Sequence, residues 1–127
     1  MTITSFIAGE AISAGNAVYV NPSGFLYKAI ATNQTQASVI GVSLDTTTQS
    51  NLVRVASDCI YSSLSLLTPG NPQYLSVATS GNIVSYATWQ TELNATTLSG
   101  AFLTNLGRAL STISIDVEVQ KPVYVIK

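Results

Sequence analysis

The chain reads as a succession of short apolar runs separated by turns. Residues 17–21 (A-V-Y-V-N) and 25–31 (F-L-Y-K-A-I-A) flank Pro22-Ser23-Gly24, the pattern of a β-hairpin. A third run, 38–44, is interrupted by Gly41, which marks a bulge or a close backbone approach. Residues 45–50 are a polar connection, and 52–56 and 59–67 supply two more strands. Pro69, Gly70, Asn71 and Pro72 form a dense turn signal. Residues 73–77 and 82–87 flank Ser80-Gly81 as a second hairpin, and 101–112, 113–119 and 122–126 complete the strands. The alternation is cleanest at 113–120, where Ile113, Ile115, Val117 and Val119 alternate with polar residues, so the two sets face opposite sides of a sheet. Pro122 has no N–H and marks a break or an edge. Helix is expected only near 88–96, where Trp89 and Leu93 fall one turn apart. The expected fold is all-β: a single barrel or sandwich domain spanning 1–127.

A repeat runs through this pattern. I-S-A-G-N-A-V-Y-V at 12–20 matches L-T-P-G-N-P-Q-Y-L at 67–75, aligning Gly15, Asn16 and Tyr19 with Gly70, Asn71 and Tyr74. Each copy reaches a glycine turn, Gly24 or Gly81. Each later carries G-x-x-L-x-T, at Gly41, Leu44 and Thr46 and again at Gly107, Leu110 and Thr112. An insertion around 88–100 lengthens the second copy. The pattern fits two similar β modules sharing one core.

Composition removes several functions. Charged residues are only 9% of the chain against roughly 25% in an average domain. The 46% hydrophobic content argues against disorder. Five basic residues, unclustered, do not make a nucleic-acid surface. No apolar run reaches the ~20 residues of a membrane-spanning helix. With no histidine, the commonest general base and metal ligand are missing. Ser, Thr, Asn and Gln fill the polar positions, giving a surface that makes neutral hydrogen bonds and depends little on ion pairs.

The chemical candidates are few. Asp116 and Glu118 share a strand face, an arrangement open to acid–base work or cation binding and equally to plain solvent exposure. Asp58 precedes Cys59, but no histidine is available to activate the thiol, so a buried, inert cysteine is expected. Asp45-Thr46-Thr47-Thr48 reads as a loop. No phosphate-binding glycine motif or S-x-x-K arrangement occurs. We therefore expect no enzyme, no cofactor, no metal site and no small-molecule substrate. Contact residues are the alternative. Ile3, Phe6 and Ile7, in M-T-I-T-S-F-I-A, are apolar anchors of an N-terminal arm (residues 1–8) or else part of the first core strand. Trp89, with Leu93, is either a contact knob or packing beneath the 88–100 insertion. Arg108 and Arg54 are candidates for carboxylate pairing across a subunit boundary, against simple exposure on a strand. Tyr19, Tyr27, Tyr74 and Tyr86 divide between core and interface.

The segment A-I-S-A-G-N-A-V-Y-V-x₃-G-x-L-Y-K-A, followed by A-S-V-I-G-V, resembles small virion proteins of tailed bacteriophages, among them head decoration (cement) proteins. G-R-A-L-S-T…D-V-E-V at 107–119 resembles the closing strands of related phage proteins. Together these stretches cover roughly half the chain, and the pI of about 5.0 is similar to that of small trimeric decoration proteins. The resemblance implies a homotrimer on the outer surface of the virion capsid, its partner the major capsid protein, bridging neighbouring subunits against the pressure of packaged DNA. Similar modules occur in tail fibres, so a host-glycan adhesin is the alternative.

Overall fold

The computed structural model describes residues 2–62, 64 and 67–127. The expected all-β fold is observed. Strand β1 (Thr2–Ala8) is followed by the hairpin β2 (Ala17–Val20) and β3 (Phe25–Lys28), whose turn uses Gly24 at φ 89. Next come the one-turn helix α1 (Gln34–Ala37), β4 (Gly41–Ser43) and the long β5 (Leu52–Ser62). The order continues with β6 (Pro72–Leu75), β7 (Ile83–Val84), α2 (Tyr86–Asn94), β8 (Gly100–Leu103), β9 (Asn105–Ala109), β10 (Ser114–Glu118) and β11 (Val123–Ile126).

The first five strands close into a ring, β1-β3-β2-β4-β5, sealed by antiparallel pairing of β1 with β5. The inward side chains Ala8, Val18, Leu26, Val53 and Val55, with Ile12, fill it. From β5 the same sheet continues through β10, β9, β6 and β7, while β8 and β11 form a separate pair. A second cluster gathers Val42, Ile115 and Val117. The largest joins Ala17, Tyr19 and Ala29 to Leu75, Trp89, Leu93 and Leu106, so one apolar layer is built from both halves of the chain.

The repeat is real in three dimensions. One row of cross-strand partners runs Ala17–Val42–Ala56–Ile3 over β2, β4, β5 and β1. The corresponding row runs Pro72–Arg108–Asp116–Ile60 over β6, β9, β10 and the second half of β5. Gly15 and Gly70 both take positive φ, 90 and 87, and both donate a 2.8 Å hydrogen bond, to the carbonyls of Ser43 and Ala109. Ser43 and Ala109 donate back to the carbonyls of Asn16 and Asn71 at 2.9 Å. The two G-x-x-L-x-T glycines have one job: a Cβ on Gly41 would fall on the carbonyl oxygen of Ala56, and one on Gly107 on that of Asp116, the same neighbour in each module. β5 thus ends one module and begins the next.

Three details differ from the sequence reading. The runs 52–56 and 59–67 are one strand as far as Ser62, because its halves serve different modules; Ser63, Ser65 and Leu66 lie outside the described residues. The run 101–112 divides at the buried Thr104, whose hydroxyl donates to the Ala37 carbonyl at 2.9 Å, and β8 and β9 belong to different sheets. The helix near 88–96 is present as α2, capped by Ser85, but it is not alone. α1 occupies the equivalent crossover of the first module, its N-terminus capped by the Asn33 side chain, which accepts from the Gln36 N–H at 2.9 Å. A single turn leaves too little periodicity to read.

Candidate functional site

β1 fixes the positions of three contact candidates. It pairs with β5 from Thr2↔Asp58 to Ile7↔Leu52, and with β3 at Ile7↔Phe25 and Ala8↔Leu26. Of the two readings of residues 1–8, arm or first strand, the described residues Thr2–Ala8 form a strand in the wall of the ring and not an arm. Strand alternation separates the candidates. Phe6 turns inward against the ring core, while Ile3 and Ile7 point out, 44% and 37% exposed. Two residues that the sequence did not single out adjoin them. Leu52 and Phe25, 65% and 42% exposed, are the cross-strand partners of Ile7, so three apolar side chains on three adjacent strands form one patch. The signal was present in L-V-R-V at 52–55, where period two sets Leu52 and Arg54 opposite the buried Val53 and Val55.

Trp89 is not a contact knob. It is 1% exposed, and its Nε1–H donates to the Phe102 carbonyl at 3.1 Å. Tyr86 stacks over it, ring centroids 6.0 Å apart and planes 11° from parallel. Of the two readings of Trp89, packing beneath the insertion is the observed one, with Leu93 in the same cluster.

The two arginines diverge. Arg54 closes a bidentate pair within its own chain, its Nη2 and Nε donating to Asp45 at 2.8 and 3.1 Å, and its backbone N–H donates to Asp45 Oδ2 at 2.9 Å. The guanidinium's hydrogen bonds hold the Asp45 carboxyl below its usual range. Arg54 is thus spent locally rather than across a boundary, and Asp45 begins its loop as an anchor. Arg108 is exposed and makes no ion pair among the described residues. With Asp116, Glu118, Pro72, Asn105 and Leu110 it lines an open groove of about 480 Å³.

No catalytic geometry accompanies these groups. Asp116 and Glu118 line the groove without a Ser, Thr, Cys or Lys beside them in its lining, and among the described residues no group of three or more His, Cys, Asp or Glu is placed to hold a metal. Cys59 is half-buried; burial first, then the charges of Asp58 and Asp116, push its thiol up, the opposite of what a nucleophile needs. Glu92 is occupied structurally. Its carboxylate accepts from the Ser76 hydroxyl at 2.9 Å and the Val77 N–H at 3.0 Å, tying α2 to the loop after β6. Tyr19 stacks on Tyr27 and Tyr74 meets Tyr86 edge-on, so these four form two separate pairs. No helix among the described residues is long and apolar enough to cross a membrane. No protein-family model matches the chain, and comparison with curated proteins finds no match.

Proposed function

We propose that this protein is a capsid decoration protein, clamping neighbouring major capsid subunits from outside the virion as a homotrimer. The observation that carries the reading is the Ile7–Leu52–Phe25 patch, with Ile3 further along β1, on paired strands of a closed ring. Apolar side chains held at fixed spacing on paired strands suit binding to a protein surface and need no reorganisation on contact. Three such patches on a trimer turn a weak contact into a strong one. The resemblance of the 11–29, 37–42 and 107–119 segments supplies the choice of partner. The glycan-adhesin alternative draws on the polar groove around Arg108, whose lining contains no aromatic ring for a sugar to stack on.

The test is to quantify this protein against the major capsid protein in purified virions, then repeat it with Leu52→Asp and Ile7→Asp. Hundreds of copies per particle are expected, with occupancy falling at least tenfold in the variants at unchanged circular dichroism. A handful of copies, no band, or unchanged occupancy refutes the proposal. Sedimentation that shows a monomer both free and on capsids refutes the trimer.

A further inference from the structure

The two modules present the same face twice, and only one of the two is covered. In the first module the row Ala17–Val42–Ala56 is fully buried, and second-module residues pack on Ala17 and Val42. Val42 packs in one cluster with Ile115 and Val117, and the Ala17 N–H donates to the Gly81 carbonyl at 2.9 Å. The equivalent row of the second module, Pro72–Arg108–Asp116, lines the open groove.

We propose that this second face is a built-in stop that ends the stack at two modules and keeps copies of the chain from packing end to end. Each substitution along the row removes something that stacking uses. Proline at position 72 has no N–H to offer where Ala17 donates to the next module. Arg108 and Asp116 put charges where Val42 and Ala56 put apolar surface, and covering them would strip their water without supplying partners. The strand path is closed off as well. β5 runs on beyond Ala56 to start a second module, whereas beyond β10 the Gln120 N–H turns aside to the Asn105 carbonyl at 2.9 Å and Pro122 follows. Terminal repeats of stacked arrays need such a polar outer face. The stop leaves β1 and its apolar patch for symmetric contacts.

The test converts the face to that of the first module, with Pro72→Ala, Arg108→Val and Asp116→Ala together, followed by sedimentation velocity across concentration. The expected result is a weight-average mass that rises with concentration to at least double that of wild type. A control with Gln90→Val and Ser57→Ala, exposed positions off this face, should sediment as wild type. Should the triple variant lose its circular dichroism spectrum, Arg108→Val against Arg108→Gln carries the test, the valine associating and the glutamine not. The proposal is overturned if the folded converted chain sediments as wild type, if the control associates equally, or if valine and glutamine behave alike.

Discussion

Replacing Trp89 with alanine separates core packing from surface contact by magnitude. The indole is 1% exposed, covered by Tyr86 and clustered with Leu75, Leu93, Ala101 and Leu106. Removing a large buried aromatic costs about 3–5 kcal/mol, lost transfer energy plus the residual cavity. That is a large share of the roughly 5–15 kcal/mol that holds a domain folded. At about 4 °C per kcal/mol for a chain of this size, the melting temperature should fall by roughly 12–20 °C. Trp89→Phe isolates the hydrogen bond. It keeps most of the ring and deletes the 3.1 Å bond to the Phe102 carbonyl, a loss of about 1–2 kcal/mol. Urea unfolding should be followed by far-UV circular dichroism, because Trp89 is the only tryptophan and its replacement removes the fluorescence reporter. The slope with urea should stay constant, so that a shift in midpoint reports stability. A Trp89→Ala loss below about 1 kcal/mol, the range of surface substitutions, would refute the assignment.

Three further outcomes follow from the geometry. Gly107→Ala should destabilise by about 1–3 kcal/mol, since φ is 134 and the new Cβ meets the Asp116 carbonyl; Gly24→Ala, at a positive φ of 89 but with open space around it, should lose only about 1 kcal/mol in the same urea series. Arg54→Ala should raise the Asp45 pKa toward its ordinary value in a carboxyl NMR titration. Because the native pKa is depressed, the pair stabilises the fold above the unfolded-state pKa, and its contribution disappears as pH falls through the native one, so wild type and variant should converge in acid. Cys59 should reach half-maximal alkylation by iodoacetamide at a higher pH than free cysteine; a lower pH would contradict its burial.

Much of the fold was legible because its signals are local. Gly24, Gly81 and the Gly15/Gly70 pair fix turns through their own backbone angles, and the alternation at 113–119 states which side chains of β10 face in. The repeat was legible because both copies must solve the same backbone collision at Gly41 and Gly107. What escaped depends on partners distant in the chain. Nothing near Ile7 announces that Leu52 and Phe25 flank it, since that neighbourhood exists only once β1 closes the ring. The arm alternative gave way for the same reason: T-I-T-S-F-I reads as a strand from its β-branched and aromatic residues, and that pattern cannot say whether the second strand belongs to this chain or to another. Trp89 was ambiguous because its burial is set by Leu75, Leu106 and the Phe102 carbonyl on separate strands, and Arg54 because its pairing depends on how the β4–β5 connection folds Asp45 back onto it.

The eleven-residue β5 is bonded to β1 and β4 through its first half and to β10 through its second. A tug along this strand shears ladders in both modules at once, and hydrogen bonds loaded side by side resist together instead of opening one after another. Neither module can melt without withdrawing the strand that the other needs, so the chain should fail as a unit, with β5 as its tie-rod. Tension directed along β5 is then the loading the molecule bears best, and tension across it, peeling β4 or β10 from its flank, the loading it bears worst.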